Sequence, residues 1–304
     1  MKRIARMGRV WRRERSEWIS FLAFVAPGFF LFSVFTYWPI FYSFRLSFTK
    51  WNLLAPKPEW RGLKNYIDLV QDPDFWQVTA NTLLYAVVVV AVAQCCAFMV
   101  ALLLNRRVPG LAMFRTLAFL PYVTTTAAAA LAWVLILHPR FGPLGTVYAA
   151  LGVQGTNWLQ NSKLALCALM VVGIWKEIGF SSLFFLAGLQ GLPADCYEAA
   201  ALDGAGPLSR LRHITLPLMT PTAFFLMVTG FIAATKAFDV VAIMTEGGPV
   251  YPASSTYVYH LYTVAFRDLS VGYASAFATV FFVVTVLVTI LQFRVAQRWV
   301  HYEN

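Results

Sequence analysis

The sequence predicts an all-α, polytopic membrane protein with six transmembrane helices, and three observations support this class. Hydrophobic residues make up 59% of the 304 residues and charged residues only 12%, with a mean hydropathy of +0.64. A soluble domain has about 45–50% apolar and about 25% charged residues, so a soluble globule of this composition could not cover its surface. Long apolar stretches recur along the chain, and the basic residues are distributed unevenly between the segments that separate them.

Six stretches are long and apolar enough to cross a membrane, which takes about 20 residues as a helix. Helices are expected because lipid cannot satisfy unpaired backbone groups, and the sequence has no series of alternating ten-residue barrel strands. We interpret the first stretch as a retained anchor, since it exceeds the about 7–15 apolar residues of a signal peptide, and Pro27 and Pro39 are expected to bend it. The predicted spans are Phe21–Phe44, Ala80–Leu104, Met113–Leu137, Leu164–Gly188, Pro221–Ile243 and Ala274–Phe293.

The basic residues predict the orientation of these spans. Six spans place both termini on one side, and if that side is the cytoplasm, 14 Lys and Arg residues lie inside and seven outside. This bias predicts an N-in, C-in topology. The net charge of +10 is then an orientation signal, and nucleic acid is excluded as a partner because no loop interleaves a basic stripe with stacking aromatics. The predicted parts are a cytoplasmic basic tail (1–19), a six-helix transmembrane domain (20–295) with a cytoplasmic loop (189–219), and a cytoplasmic tail (296–304).

Signals for catalysis or metal binding are absent from the sequence. The four cysteines form no CxxC motif or zinc-ligand spacing, and no phosphate-binding GxxxxGK[ST] loop is present. An intramembrane enzyme would need a cluster of His, Asp, Glu or Cys at helical spacing, which we do not find. The four histidines are scattered and are expected to be solvated or to cap helices: His138, His213, His260 and His301. No catalytic residue and no metal site is predicted.

The loop between the fourth and fifth stretches is long, acidic and rich in alanine. Pro193 is expected to open a short helix, with Asp195 favourable at its N-terminus. Gly204 is expected to end it in a left-handed conformation, and helix resumes over Leu208–Thr215. Such a helix allows close approach of another protein. The alternative is a helix lying on lipid headgroups, but such helices favour Lys, Arg and bulky anchors.

This loop resembles the EAA signature of the permeases of binding-protein-dependent ABC importers. The resemblance rests on Glu198-Ala199-Ala200, then Gly204 after three residues, and Ile214-Thr215-Leu216-Pro217 after nine more. It extends along the chain and is similar to the carbohydrate branch, of the maltose and glycerol-3-phosphate type. The further matching segments are Trp175-Lys176, Leu189-Gln190, Ala201-Leu202-Asp203-Gly204-Ala205, Gly247-Gly248-Pro249 and Gln292-Phe293-Arg294.

The resemblance implies a type I ABC importer permease in a bacterial cytoplasmic (inner) membrane. Its expected partners are a homologous second permease in a heterodimer, two copies of a cytoplasmic ABC ATPase, an extracytoplasmic solute-binding protein and the lipid bilayer. ATP and Mg belong to the partner ATPase, and no cofactor is expected on this chain. The positions implied to contact the ATPase are Glu198, Ala199, Ala200, Asp203 and Gly204, and those implied to fix the second arm of the loop are Ile214 and Pro217.

Ionisable residues within the predicted spans are costly and indicate function. Lys236 and Asp239 could neutralise each other at i, i+3 spacing, and Lys176 could extend to an interface beside Trp175. The resemblance implies instead a substrate pathway that includes Lys176. Its implied residues are Gly173, Lys176, Glu177, Phe180, Gly230, Ala233, Ala234 and Ala237.

The sequence leaves the solute and the docking surfaces open. Lys176 and Lys236 suit a phosphate-bearing solute, and neutral sugars are equally open. Small apolar residues stand where a maltose-type permease has amides, which favours recognition by the partner permease or the binding protein. The tyrosine-rich loop Thr245–Tyr273, with His260, and the loop Lys50–Val78 are candidate docking surfaces for that protein.

A secondary carrier, driven by ions or protons, is the alternative class. Mitochondrial-type carriers need a threefold repeat of about 100 residues, and others need inverted repeats with broken helices. Neither pattern is evident in this sequence.

Overall fold

A computed structural model describes residues 17–18, 20–52, 54–106, 109–153 and 155–300. The basic tail predicted for residues 1–19 lies almost entirely outside this part of the chain. The same is true of residues 301–304 in the C-terminal tail, including His301.

The described residues are mostly helical, and six membrane spans account for the long apolar helices. Four are continuous helices, and two are pairs of helices joined at a sharp bend. When each bent pair is counted as one span, all six predicted spans are present. Their ends differ from the predicted ones, most of all for span 5, whose first helix, Pro207–Leu218, belongs to the predicted cytoplasmic loop. Spans 1 to 6 are Ser20–Leu46, Pro73–Leu104, Leu111–Val123 with Thr126–Ile136, Ala165–Gln190, Pro207–Leu218 with Thr220–Thr235, and Val271–Ala296.

Short elements connect the spans, and two of the π turns below lie within spans 1 and 5. Two strands, Thr49–Lys50 and Glu59–Trp60, pair antiparallel with Thr49 opposite Trp60. The short helices are Lys64–Gln71, Pro143–Ala150, Ala194–Leu202, Asp239–Met244 and Tyr257–Tyr262, with a 3-10 turn at Trp158–Gln160 and π turns at Ser33–Tyr37, Leu211–Thr215 and Thr263–Arg267.

Span 3 differs from the single straight helix that the apolar stretch predicts. Its two halves, Leu111–Val123 (span 3a) and Thr126–Ile136 (span 3b), meet at 98°. Pro121 lies in the last turn of span 3a, and Thr124 follows in an extended conformation. Thr125 then caps span 3b by accepting a hydrogen bond from the backbone of Ala128 at 3.4 Å. Proline ends regular helical bonding and threonine caps the next helix, so the local sequence produces the break.

Span 5 is also interrupted, within the stretch predicted to be continuous to Ile243. The helix ends at Thr235, and a new one begins at Asp239. The carbonyl of Ala237 in this gap accepts a hydrogen bond from Thr256 Oγ1 at 2.6 Å. A side chain from a distant loop therefore replaces the missing helical donor.

The core lies between spans 2, 4 and 5. Val89, Leu169, Val172 and Phe231 are among its buried residues. Span 1, in contrast, is exposed over most of its length, and Leu46 at its end is buried. The exposed part of this helix must face lipid or another protein.

The loop between the end of span 5 and Tyr257–Tyr262 is fixed to span 2 by polar contacts. Asn81 Nδ2 donates to the carbonyls of Pro252, Ala253 and Ser255 at 3.0–3.2 Å. Thr82 Oγ1 accepts from the backbone N–H of Tyr257 at 2.7 Å. The loop is therefore a rigid extension of span 2.

Only part of the predicted tyrosine-rich docking surface is accessible, and docking itself stays a prediction. Tyr257, Tyr259 and His260 are buried, with Tyr259 1% and His260 5% exposed. Tyr251 and Tyr262 keep more than a third of their surface exposed. Tyrosine combines an apolar ring with a polar tip, so its frequency alone does not distinguish a surface from a core.

The prediction that all four histidines are solvated or capping is wrong for His260. This residue packs against Phe277, with ring centroids 5.0 Å apart, and its Nδ1 is hydrogen-bonded to the Tyr251 hydroxyl. His138 does cap a turn, because its Nδ1 accepts from the backbone N–H groups of Arg140 and Phe141 at 3.2 Å.

Replacing Asn81 by Ala is expected to destabilise the protein by about 1–3 kcal/mol, because three loop carbonyls lose their donor. Hydrogen exchange at Ser254 and Ser255 should accelerate in this variant. Gln77→Ala, at an exposed position of the same helix, should leave that exchange unchanged. Equal protection in Asn81→Ala and the wild type would contradict the anchoring role.

We expect the protein to lose stability as the pH falls, because the buried His260 becomes protonated. Burial lowers the pKa of His260 below its ordinary 6.5, although Asp72, Asp74 and Asp268 oppose the shift. Between the pKa of His260 in the folded protein and its pKa in the unfolded chain, the unfolded chain therefore binds more protons. The stabilisation that comes from neutral His260 is complete above pH 6.5 and is lost as the pH falls through the folded-state pKa. Burial raises the pKa of Tyr251 to about 12, so its hydroxyl stays protonated throughout.

His260→Asn should flatten this dependence, because the amide still bonds Tyr251 but does not titrate. The measurement is the melting temperature of the purified protein between about pH 5 and 8. His213→Asn, at an exposed site, is the control and should keep the wild-type profile. An unchanged profile in His260→Asn would rule out this source of pH dependence.

Candidate functional site

The loop between spans 4 and 5 presents a short helix, Ala194–Leu202, which we term the loop helix. Pro193 precedes it in an extended conformation, and Asp195 lies in its first turn. Gly204 ends it with a φ of +75°, and Ala205 N–H donates back to the Ala200 carbonyl at 2.9 Å. The predicted start, helix and left-handed glycine are all confirmed.

The loop helix is held against the second arm of the loop, Pro207–Leu218. Tyr197 and Thr215 share a hydrogen bond between their hydroxyl groups at 2.9 Å. Arg210 Nε donates to the carbonyl of Ala205 at 2.7 Å. These contacts fix the helix relative to span 5, so force applied to the loop helix would be transmitted to that span.

The outer face of this loop is exposed and includes two large apolar side chains. Leu202 is 90% exposed and Leu208 76% exposed. Exposed apolar groups that form a patch are typical of protein-interaction sites. The sequence analysis named both leucines only as parts of longer segments and not as contact positions. Of the implied contact positions, Glu198, Ala199, Asp203 and Gly204 are exposed, while Ala200, Ile214 and Pro217 are partly buried. The ATPase contact itself stays a prediction.

A second candidate site is a cavity of about 230 Å³ between spans 2, 3, 4 and 5. It brings together seven of the eight residues implied for the substrate pathway: Gly173, Lys176, Glu177, Gly230, Ala233, Ala234 and Ala237. Phe180 does not line it, but packs against the cavity residue Tyr122 with ring centroids 4.8 Å apart. Their role in transport stays a prediction.

The sequence analysis did not identify several further residues that line the cavity. They come from span 2 and from the interruptions of spans 3 and 5: Tyr85, Val89, Tyr122, Thr126, Phe238 and Val240. Interrupted helices are a feature of membrane binding sites. Pro121 and the threonines at 124–126 were the sequence signal that could have indicated the interruption of span 3.

Glycines admit the polar side chains of the cavity. A Cβ atom at Gly230 would lie 3.3 Å from Glu177 Oε1, and one at Gly173 would meet the Tyr85 hydroxyl. Ser181 Oγ donates to Glu177 Oε1 at 3.1 Å. Gly173 and Gly230 thus give Tyr85 and Glu177 room at the cavity wall.

The structure does not show Lys176 extending to an interface beside Trp175, nor Lys236 paired with Asp239. Lys176 Nζ donates to the carbonyls of Thr124 at 2.6 Å and Pro121 at 3.3 Å, whereas Trp175 packs on Trp133. The helix break separates Lys236 from Asp239, and within the described chain no ion pair shorter than 4.0 Å joins them. Both line the cavity.

The fold and the EAA-type loop define a membrane transport subunit, and comparison with known proteins identifies its family. Residues 93–301 match the family described as "Binding-protein-dependent transport system inner membrane component", and the chain belongs to this family. It is an importer permease, and ATP hydrolysis belongs to a separate subunit of such systems. The secondary-carrier and intramembrane-enzyme alternatives are thereby excluded.

Individual relatives match over almost the full length of the chain. The sn-glycerol-3-phosphate transport system permease protein UgpA of Yersinia pestis bv. Antiqua (strain Antiqua) is 32% identical over 288 residues, covering 94% of this chain and 97% of that protein. The probable ABC transporter permease protein YesP of Bacillus subtilis (strain 168) is 36% identical, covering 96% and 95%.

A solved structure shares the fold. A chain of a bacterial ABC transporter involved in the import of the acidic polysaccharide alginate superimposes with a TM-score of 0.83, at 21% identity, covering 95% of this chain and 99% of that one. At this identity the likeness establishes the fold, a type I importer permease.

Proposed function

We propose that this chain carries a sugar or a glycerol-phosphate-type solute across a bacterial cytoplasmic membrane, after delivery by an extracytoplasmic binding protein. The names of its relatives support this class of solute. The proposed path runs through the cavity, where ammonium, carboxylate and tyrosine groups of spans 2, 4 and 5 could bind hydroxyl or phosphate groups.

The partners follow from the family and from the exposed surfaces. A homologous second permease would complete a heterodimer and cover apolar surface that is exposed in this chain. Two copies of a cytoplasmic ATPase would hold ATP and Mg, and this chain would bind no cofactor. The loop helix would seat in the ATPase through Glu198, Ala199, Ala200, Asp203 and Gly204, with Ile214 and Pro217 on the supporting arm.

One observation carries the coupling proposal: the rigid loop helix with exposed leucines at Leu202 and Leu208. The hydrogen bonds of Tyr197 and Arg210 join this helix to the arm that leads into span 5. ATP-driven movement of a partner cleft would therefore move the helix that lines the cavity.

The test is reconstitution of the chain with the ABC ATPase, second permease and binding protein of its own genome. Proteoliposomes loaded with ATP should accumulate either radiolabelled sn-glycerol 3-phosphate or radiolabelled maltose. Leu202→Asp should abolish co-purification of the ATPase, whereas Leu54→Asp, at another exposed leucine, should not. Accumulation without ATP would contradict the coupling, and failure of both solutes would contradict the proposed solute class.

A further inference from the structure

The membrane-embedded Lys176 forms its hydrogen bonds at the break in span 3. Its Nζ reaches across from span 4 to Thr124 O at 2.6 Å and Pro121 O at 3.3 Å. These carbonyls belong to the last turn and C-cap of span 3a, where the chain turns away and supplies no further helical N–H donors. The Pro121 carbonyl also accepts from Thr124 Oγ1 at 2.7 Å, so the Thr124 carbonyl is the one that depends on Lys176. Within a membrane such groups must find partners inside the protein.

The charge of Lys176 suits this position as well as its hydrogen bonds do. The C-terminus of a helix carries a partial negative charge, which a cation stabilises. Asp239, at the interruption of span 5, lines the same cavity as Lys176.

Lys236 provides a contrast within the same cavity. Its side chain is exposed, and across the described residues it forms no side-chain hydrogen bond or ion pair. It stands at the end of the Thr220–Thr235 helix, and the carbonyls of Pro121 and Thr124 are bonded by Lys176 instead. Two lysines that look equivalent in the sequence thus have different surroundings.

We propose that Lys176 is a positioning residue that fixes the angle of span 3, and so places Tyr122 and Thr126 on the cavity wall, rather than a ligand of the solute. The inference deepens the proposed function, since it takes the cavity as the solute path. The bend itself is measured without any solute, so the two proposals fail separately.

The experiment measures the distance across the bend by spin labels on Met113→Cys and Leu135→Cys, which are exposed on spans 3a and 3b. The background replaces Cys95, Cys96, Cys167 and Cys196 by Ser. A second label pair, Leu103→Cys on span 2 and Leu291→Cys on span 6, reports on the rest of the bundle. The full chain is used, in lipid nanodiscs.

In Lys176→Met, the fraction of molecules whose span 3 labels lie outside the wild-type distance range is expected to rise by roughly tenfold or more. The reason is the loss of a charged hydrogen bond. The second pair should not change. Lys176→Arg should restore the wild-type distance, since a guanidinium also donates to carbonyls. Lys236→Met should leave both pairs as in the wild type.

Wild-type distances in Lys176→Met would overturn the proposal. So would an equal change in both label pairs, or an equal change caused by Lys236→Met. If Lys176→Met is not recovered as folded protein, Lys176→Gln, whose amide keeps one donor group, is judged by the same criteria. If the wild-type assembly takes up neither solute, the proposed solute class is contradicted, but the distance measurement still tests the role of Lys176.

Discussion

Gly204→Val is expected to lower ATP-driven uptake by roughly tenfold or more while the protein still inserts into the membrane. Gly204 has a φ of +75°, and no atom lies within 4 Å of the position that a Cβ would occupy. The penalty is therefore conformational: the left-handed region costs an L-residue about 1–2 kcal/mol, and a β-branched residue more. The end of the loop helix would move, and with it the surface proposed to meet the ATPase.

Gly206→Val is the matched control for this prediction. Gly206 also has free space around its Cβ position, but its φ is −72° and its ψ 169°. This extended conformation is the one that a residue before proline prefers, so valine fits at Gly206. Uptake and binding-protein-stimulated ATPase activity are measured in proteoliposomes for both variants. Normal uptake by Gly204→Val, or equal loss in both, would count against the role of the left-handed end.

Features that depend on local sequence were predictable. A span follows from the length of an apolar stretch, so all six were found. The end of the loop helix follows from Pro193 and Gly204, whose backbone preferences do not depend on distant contacts. The orientation of the spans and the division into tails and domain stay predictions.

Features that depend on distant contacts were not predictable. Lys176 and the Thr124 carbonyl are 52 residues apart, and nothing near Lys176 in sequence indicates an acceptor. Ala237 receives its donor from Thr256, 19 residues away. Residues of the cavity wall were found where the family resemblance supplied them or where a charge stands inside an apolar span, as at Lys236 and Asp239. Tyr85 was missed because a tyrosine in an apolar span carries no distinguishing pattern.

Gly173→Ala is expected to destabilise the protein by about 1–3 kcal/mol through overpacking and to reduce uptake. The new Cβ would meet the Tyr85 hydroxyl, and would lie 3.0 Å from Tyr85 Cζ and 3.2 Å from Val89 Cγ2. Tyr85 and Val89 are buried in the core between spans 2 and 4, so the new methyl group could be accommodated only if the Tyr85 side chain shifts towards the cavity that it lines. Thermal unfolding in detergent and uptake in proteoliposomes measure the two effects.

Two further variants separate crowding from the general effect of alanine in a helix, where it is favoured over glycine by up to about 1 kcal/mol. Gly28→Ala, in span 1, meets nothing within 4 Å and should be neutral or stabilising. Tyr85→Phe removes the clashing hydroxyl, so the double variant Gly173→Ala/Tyr85→Phe should regain part of the lost stability, a coupling that a double-mutant cycle measures. If the two substitutions are additive instead, the hydroxyl contact does not limit the approach of spans 2 and 4. Rescue of stability without rescue of uptake would show that the Tyr85 hydroxyl itself serves transport, because the packing would then be restored while the polar group of the cavity wall was missing.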